Sequence, residues 1–388
     1  MNSREREEKY TLSTYNHLRF PISIVRGEGS RVFDDKGRSY LDLYGGHAVC
    51  LIGHCHPRWV EDMRRQLGKL VFYSNTVYCD LRGEAAQLLV KRSYSTMSGV
   101  FFCGSGAEAN ETALKIARKA TGRPLVIAME NGFHGRTIGA LSATGYPSMR
   151  NAFPENTDRW TRFVPLGDLA AIEAVPPSEV AAVILEPIQS VSGVFMAPPP
   201  YYPSLRRYCT EHDIALIFDE VQTGSGRTGL WYAGHHWGVA PDIATTAKGV
   251  GGGFPVGVVI AGGRFAASVK PGDQATTFGG GPLAAAAIVS TYKIIDEENL
   301  IERSAGESTL MRYKLETFSG VTEIRGLGYL LGVATRIPAK ELQKKLMDDY
   351  GILVGTSGDP QTIRLLPPLT VTEDEWREFT SAMSELLR

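Results

Sequence analysis

A short apolar run recurs along this sequence and ends each time in a polar or glycine-rich turn, after which a helical pattern begins. Each run is apolar on both faces, which is typical of strands buried in a parallel sheet between layers of helices. The feature predicts an α/β fold with a large domain built on a mostly parallel sheet flanked by helices. Ligands of such sheets bind at the carboxyl ends of the strands. The runs cover residues 100–103, 125–129, 181–185, 214–218 and 243–246.

The pattern changes toward the C-terminus. From about residue 299 it indicates a helix, then strands near 321–335, a helix over 339–350 and a short strand at 362–365. This alternation predicts a smaller C-terminal α/β domain, joined by N-terminal strands within residues 30–43. The predicted division is an N-terminal segment packing with the small domain (1–50), the large domain (51–295) and the small domain (296–388).

Charge and hydropathy argue against two kinds of partner. The chain has 41 Lys and Arg residues against 42 Asp and Glu residues, a formal net charge of −1. Such a surface offers no general field for nucleic acid or an anionic membrane. No window approaches the roughly 18 apolar residues that a membrane helix needs, and the N-terminus has no apolar segment. Five cysteines, an odd number, suit a reducing compartment, so the expected location is the cytoplasm.

The residues closest to a metal-binding motif are His54, Cys55 and His56. They stand side by side before Pro57 and lack a second ligand pair at a usable spacing. The sequence therefore predicts a structured turn at this point and no metal site.

A phosphate-binding turn is indicated where the run ending at Cys103 meets a helix predicted from about Ala107. Gly104, Ser105 and Gly106 lie between them. Such a turn presents free backbone N–H groups and the positive end of a helix to an anion. Because the pattern is neither GxGxxG nor a P-loop, a tight turn without a ligand is the alternative.

Two charged residues follow other predicted strands at the same edge of the sheet. Asp219 ends a buried run, where its charge needs a cationic partner such as a protonated ring nitrogen. Lys248 precedes a glycine-rich loop, and burial there lowers the pKa of an amine and frees it to attack an aldehyde. A structural salt bridge for Asp219 and a surface position for Lys248 are the alternatives.

Taken together, these groups match the requirements of one cofactor. A phosphate-binding turn, a carboxylate for a ring nitrogen and a reactive lysine are what pyridoxal 5'-phosphate needs from a protein, because the cofactor itself supplies the electron sink. Phe133 is available to cover one face of the ring.

On these residues the sequence resembles the class III pyridoxal-phosphate-dependent aminotransferases, and it is most similar to their acetylornithine and ornithine aminotransferase subgroup. The resemblance runs from about residue 10 to 387 and implies the aspartate-aminotransferase-like fold. Its most specific motifs are GHCHP at 53–57, SGAEAN at 105–110, FHGRT at 133–137, DEVQ at 219–222, KG at 248–249 and IRLLPPL at 363–369.

The resemblance implies a role for each matching position. Lys248 would bind the cofactor covalently and move the proton during the reaction, and Asp219 would pair with the ring nitrogen. The other implied contacts are the backbone of Gly106 and Ala107 at the phosphate, Phe133 on the ring, Val221 and Gln222 beneath it and at its phenolic oxygen, and Thr277 at the phosphate of the neighbouring subunit. The contact of Thr277 implies a homodimer with shared active sites.

The implied reaction moves an amino group from an amino-acid or ω-amino donor, of acetylornithine or ornithine type, to a 2-keto acid such as 2-oxoglutarate. Arg136 and Arg364 resemble a pair that binds carboxylates through planar guanidinium groups, and a structural role for either is the alternative. His47 falls at a substrate-facing position, with a hydrogen-bonded loop histidine as the alternative.

Two positions depart from the family pattern. Val191 stands where ornithine-type relatives have a glutamate that masks the arginine matching Arg364, and valine cannot form that pair. The expected donor therefore presents a carboxylate to Arg364 rather than being a plain ω-amine; masking by the nearby acid Glu186 is the alternative. Gly281 stands where relatives commonly have asparagine.

Two other functions suit the same fold. An aminomutase of the semialdehyde type would keep Lys248 and Asp219 and need no external keto acid. A non-catalytic binding protein would keep only the scaffold, and the presence of Lys248, Asp219 and Gln222 together argues against it.

Overall fold

The computed structural model describes residues 1–15, 20–151 and 159–387. In chain order the strands are β1 (Ile24–Glu28), β2 (Arg31–Asp34), β3 (Ser39–Asp42), β4 (Met97–Cys103), β5 (Leu125–Met129), β6 (Thr161–Val164), β7 (Val180–Leu185), β8 (Ala215–Asp219), β9 (Ile243–Thr246), β10 (Gly257–Gly262), β11 (Val321–Leu327), β12 (Leu330–Thr335), β13 (Ile352–Leu353), β14 (Gly355–Thr356) and β15 (Thr362–Leu365). The helices are α1 (Ser3–Tyr10), α2 (Gly45–Ala48), α3 (Pro57–Leu67), α4 (Asp80–Arg92), α5 (Gly106–Thr121), α6 (Ile138–Ser142), α7 (Pro147–Arg150), α8 (Leu169–Glu173), α9 (Ser190–Gly193), α10 (Tyr201–Glu211), α11 (Gly263–Ser268), α12 (Pro282–Glu297), α13 (Leu300–Glu316), α14 (Ala339–Tyr350) and α15 (Glu373–Leu386).

The central sheet has seven strands in the order β4-β10-β9-β8-β7-β5-β6. From β9 to β6 the neighbours are parallel, whereas β10 lies antiparallel between β4 and β9. The predicted α/β fold with a mostly parallel sheet is confirmed. β6 and β10 are additional strands, which the apolar runs did not include.

The two faces of this sheet carry separate cores. The odd-numbered residues of β5 join one core, and Val126 and Ala128 join the other, because successive side chains of a strand point to opposite faces. On the second face α5 packs through the fully buried Ala109, Ala113 and Ala117. These small side chains let the helix approach the sheet closely, so its N-terminus is held at the carboxyl edge of the strands.

Two four-stranded sheets complete the fold. One is antiparallel, with the order β11-β12-β15-β14. The other, β1-β2-β3-β13, joins the N-terminal strands to the C-terminal region, because β3 pairs in parallel with β13. This pairing supports the predicted packing of the N-terminal segment against a C-terminal domain, whose boundaries stay a prediction.

Helix α12 begins immediately after Gly281, the position that departs from the family pattern. Gly281 is the N-cap residue and forms no side-chain cap, and proline follows it at the first helical position. Asparagine at an N-cap accepts a backbone hydrogen bond, but glycine there costs only a few tenths of a kcal/mol. Among the helices of the described chain, none is long and apolar enough to cross a membrane.

Candidate active site

Three charged side chains meet at the carboxyl edge of the central sheet. Glu186 directly follows β7, Asp219 is the last residue of β8, and Lys248 lies two residues beyond β9. These strands are parallel neighbours in the sheet, so their carboxyl ends lie side by side. Asp219 and Glu186 both act electrostatically on Lys248. The sequence-based placement of Asp219 and Lys248 at one edge is thus what the structure shows.

Asp219 is held by hydrogen bonds from three directions. The carboxylate is 3% exposed, and its Oδ2 accepts from Asn110 Nδ2 and lies 2.7 Å from His134 Nδ1. Its Oδ1 accepts from the backbone N–H of Val221 at 3.0 Å. Asn110 is itself oriented by Thr245, whose hydroxyl donates to Asn110 Oδ1 at 2.7 Å. Asp219 is therefore a fixed acceptor, and no lysine or arginine of the described residues forms a salt bridge with it.

His134 and Asn110 contact Asp219 but were not singled out from the sequence. Both lie inside motifs that carry the family resemblance, FHGRT and SGAEAN, but nothing in those motifs says which side chain they contact. His134 is fully buried, and its Nε2 has no hydrogen-bond partner within the described residues.

Lys248 has an unusual backbone and an unusual environment. Its φ of +48° lies in the left-handed region, which is strained for a residue with a Cβ and is found mainly at functional sites. The side chain is partly exposed, although protein atoms surround it on most sides. This burial lowers the pKa of the amine to about 8, against the attraction of Asp219 and Glu186. The amine therefore loses its proton far more readily than an ordinary lysine does.

Glu186 is a second buried acid next to this lysine. Its Oε1 accepts from the backbone N–H of Phe133 at 2.8 Å. Burial, with repulsion from Asp219, raises the pKa of Glu186 to about 7, while His134, the Phe133 N–H and Lys248 oppose this shift. Glu186 therefore changes charge near neutral pH. No ion pair joins it to Arg364 among the described residues, so the masking alternative has no contact to support it.

The turn before α5 has the features of an anion site. Ser105 caps the helix, with its hydroxyl accepting from Glu108 N, and within the described chain no hydrogen bond uses the N–H of Gly106 or Ala107. A Cβ on Gly106 would lie 3.0 Å from both methyl groups of Val221, and one on Gly135 would lie 2.6 Å from the Ala107 Cβ. The glycines therefore allow Val221 and the backbone of residue 135 to pack closely against this turn, whose two N–H groups stay unpaired among the residues described.

Arg364 is a buried cation held by neutral acceptors. It is 3% exposed, and burial lowers the pKa of its guanidinium. Its Nε donates to the Thr356 carbonyl at 2.8 Å, and its Nη1 donates to Ser190 Oγ at 3.2 Å. The Ser190 hydroxyl in turn donates to Gln222 Oε1 at 3.0 Å. Ser190, whose role the sequence did not suggest, therefore links Arg364 to Gln222.

The remaining predicted site residues are His47, Arg136 and Thr277, and they differ in the groups near them. The protein atoms around His47, together with the charges of Lys248 and Arg364, lower the pKa of its imidazole. Arg136 is exposed, with its guanidinium 5.9 Å from the centre of the Phe133 ring. Thr277 is exposed on the loop that precedes α12, so within one chain it does not join the Lys248 group.

The arrangement defines what could bind. An open helix N-terminus accepts an anion, a fixed carboxylate accepts a hydrogen bond from a cationic ring, and an amine of lowered pKa attacks a carbonyl. Arg364 offers a second anion site on the other side of Gln222. The described residues therefore suit a phosphorylated aromatic aldehyde together with a carboxylate substrate.

Comparisons with known proteins agree with this chemistry. The family model "Aminotransferase class-III" matches residues 12–387. The chain is 44% identical to the acetylornithine aminotransferase of Methanopyrus kandleri, covering 100% of this chain and 99% of that protein, and 42% identical to that of Methanosarcina mazei, covering 96% and 92%. The ornithine aminotransferase structure from Toxoplasma gondii matches with a TM-score of 0.91 at 31% identity, covering 98% of this chain and 93% of that one. The acetylornithine aminotransferase structure from Elizabethkingia anophelis matches with a TM-score of 0.86 at 30% identity, covering 99% and 97%.

Proposed function

Because the chain belongs to the class III aminotransferases and is thus a pyridoxal-phosphate-dependent transaminase, we propose that it moves the amino group of an ornithine-type donor to a 2-keto acid such as 2-oxoglutarate. The observation that carries the proposal is the Lys248 amine, which lies beside Asp219 at the sheet edge and has a pKa of about 8. The proposed location is the cytoplasm.

The residues present fit pyridoxal phosphate. The unused N–H groups of Gly106 and Ala107 would hold its phosphate, and the glycine at position 106 leaves the room that a side chain would fill. When bound, the cofactor supplies an electron sink for the bond that breaks at the amine-bearing carbon. We assign the ring face to Phe133 and the underside and phenolic oxygen to Val221 and Gln222.

Asp219 and Lys248 would do the proton chemistry. Asp219 would keep the ring nitrogen protonated, because its hydrogen bonds from Asn110 and His134 fix it as an acceptor. Lys248 would bind the cofactor through Nζ and, once the donor has displaced it, carry the proton at Nζ as a general base and acid. A pKa of about 8 suits this work, since a general base functions best with a pKa close to the working pH.

Arg364 would bind a substrate carboxylate. A buried guanidinium with only neutral acceptors strongly favours an anion that can reach it. The relatives found above are named for acetylornithine and ornithine. We propose that this chain prefers donors that present a carboxylate to Arg364 over plain ω-amines, with Arg136, His47 and Glu186 lining the rest of the substrate site.

We further propose a homodimer in which Thr277 reaches the phosphate of the neighbouring subunit. Its neighbour Phe278 is 72% exposed and lies against Phe72, with ring centres 5.3 Å apart. Other exposed apolar side chains follow or precede Phe72 closely in the sequence, namely Val71, Tyr73, Val77 and Tyr78. A cleft of about 1080 Å³ opens beside them, between Tyr78, Arg82 and Phe102, and not over Lys248. Apolar surface of this extent is typical of an interface.

A single-turnover donor screen tests the proposal. The holoenzyme is mixed with one donor and no keto acid, and the keto or aldehyde product is counted per active site. A transaminase yields one equivalent of keto or aldehyde product and stops. An aminomutase returns the amino group to another carbon of the same molecule, so it accumulates an isomeric amine over many turnovers, and a non-catalytic binding protein yields neither product. Ornithine and 1,4-diaminobutane form a matched donor pair that differs only in the carboxylate. Equal rates for the two would refute the preference assigned to Arg364.

A further inference from the structure

Residues 45–48 form a turn in a backbone conformation that most residues avoid. Gly45, Gly46, His47 and Ala48 form α2 with φ angles of 58°, 55°, 69° and 65°, which makes it one turn of left-handed helix. The left-handed conformation is unfavourable for residues with a Cβ, and it persists only where the surrounding structure fixes it. His47 and Ala48 therefore need an outside restraint.

Asp42 supplies that restraint. Its Oδ1 accepts from the backbone N–H of Tyr44 at 3.0 Å and of Gly45 at 2.9 Å, and its Oδ2 accepts from Gly46 N at 3.0 Å. The same Oδ2 lies 2.8 Å from His54 Nε2. Burial alone would lower the pKa of His54, but the hydrogen bond to Asp42, helped by Cys50, raises it to about 10. The His54 imidazole is therefore protonated at neutral pH.

The turn is attached to the strand end that carries Arg364. The N–H of Leu366 donates to the Leu43 carbonyl at 2.7 Å, directly before the turn. A Cβ on Gly45 would lie 2.4 Å from the Leu366 carbonyl oxygen, so only glycine allows this approach. The Arg364 guanidinium lies 5.8 Å from the centre of the Tyr44 ring, and the Tyr44 hydroxyl is hydrogen-bonded to His47 Nδ1. Any shift of the turn moves both rings relative to Arg364.

We propose that Asp42 and His54 are positioning residues for the carboxylate subsite: by holding the left-handed turn they place Tyr44 and His47 beside Arg364. Neither residue touches the reacting atoms, and both act through the turn. The inference rests on the carboxylate-binding role proposed above for Arg364. It gives a function to the first histidine of the GHCHP motif, which the proposed reaction leaves unused.

The second histidine of the GHCHP motif, His56, serves as a control for the first. His56 lies two residues beyond His54 and also pairs with a carboxylate, that of Glu298, at 3.1 Å. The side chains of His54 and His56 are similarly exposed, at 15% and 14%. Removing either one breaks one ion pair in the same loop, but only His54 contacts the carboxylate that holds the turn.

The test compares His54→Asn with His56→Asn in the holoenzyme. Glutarate is the probe, because it is 2-oxoglutarate without the reactive keto group, and its dissociation constant is measured by calorimetry. We expect His54→Asn to weaken glutarate binding about tenfold, as for a displaced hydrogen-bonding group, and to raise KM for 2-oxoglutarate similarly with little change in kcat. His56→Asn should leave both constants unchanged. Asp42→Asn, which keeps one acceptor oxygen, should act in the same direction as His54→Asn.

A rescue variant separates positioning from general destabilisation. Glycine adopts the left-handed conformation without a steric cost, so Ala48→Gly added to His54→Asn should restore part of the glutarate affinity. Equal affinities for wild type and His54→Asn, equal losses in His54→Asn and His56→Asn, or no recovery with Ala48→Gly would each overturn the inference. If Arg364→Ala binds glutarate as well as wild type does, the proposed role of Arg364 fails instead, which is a separate result.

Discussion

Val191→Glu is the substitution that most directly tests how this site chooses its donor. Val191 follows Ser190 in α9, and its carbonyl accepts from the N–H of Gly358 at 2.8 Å, which fixes this segment beside the loop before β15. The Ser190 hydroxyl is 3.2 Å from Arg364 Nη1, so the segment already supplies Arg364 with a neutral partner. Glutamate at position 191 would bring a charged partner to the same guanidinium.

The size of the effect follows from exchanging a neutral acceptor for a charged one. A hydrogen bond to a charged group contributes about 1.5–3 kcal/mol, and a substrate carboxylate would have to displace it. Binding of that carboxylate should therefore weaken about 10- to 100-fold. Donors without a carboxylate do not compete for Arg364, so their efficiency should change much less.

The assay measures kcat/KM for ornithine and for 1,4-diaminobutane, together with the dissociation constant of glutarate. Val191→Gln is the matched control, because it adds the same length and hydrogen-bonding capacity without the charge. We expect the ratio of ornithine to diaminobutane efficiency to fall in Val191→Glu and to change little in Val191→Gln. An unchanged donor profile in Val191→Glu, or an equal change in both variants, would refute the reasoning.

Three further predictions concern the charged groups at the sheet edge. Lys248→Ala should abolish turnover while circular dichroism and oligomeric state stay as in wild type, because the residue supplies the amine and the proton transfer but little packing; activity within about tenfold of wild type would contradict its assignment. Asp219→Asn should retain bound cofactor, measured by its absorbance, but lose most of the rate, because an amide cannot keep the ring nitrogen protonated; a wild-type rate would make Asp219 purely structural. Since the pKa of Glu186 is raised from 4.5 to about 7, its contribution to stability is present below pH 4.5 and lost as the pH rises through 7. In the cofactor-free chain, the unfolding free energy of Glu186→Gln minus that of wild type should therefore increase by about 3 kcal/mol as the pH rises from 4.5 to 7. If urea unfolding gives parallel pH profiles for the two proteins, this prediction is wrong.

The strands at the centre of the sheet could be predicted because burial on both faces leaves a local signal. The runs at 125–129 and 243–246 coincide with β5 and β9, and the run at 214–218 differs from β8 by one residue at each end. β6 was missed, and only its first and last residues are buried. β10 was missed as well, although all of its residues are buried. It follows a glycine-rich loop, and its place is set by antiparallel pairing with β4 and β9, which are distant in sequence.

In the site, too, residues that follow a recognisable strand could be predicted, whereas contacts between residues distant in sequence could not. Asp219 and Lys248 could be predicted because each follows a strand of the parallel sheet. The partners of Asp219 could not, since Asn110 and His134 are 109 and 85 residues away in sequence. Ser190 is 174 residues from Arg364, so its contact with the guanidinium had no sequence signal beyond its position next to Val191.

The charges in the site explain why valine rather than glutamate at position 191 is expected to affect the choice of donor. Lys248 is attracted by both buried acids, Asp219 and Glu186, and Asp219 has His134 as an additional partner. Arg364 forms no ion pair among the described residues, and Glu186 is the only carboxylate that contributes to raising its pKa. In the proposed role of Arg364, a substrate carboxylate would supply the negative charge that this guanidinium lacks. In a chain with glutamate at position 191 that charge would already be present before the substrate arrives, and the same arginine would favour a donor that carries no carboxylate.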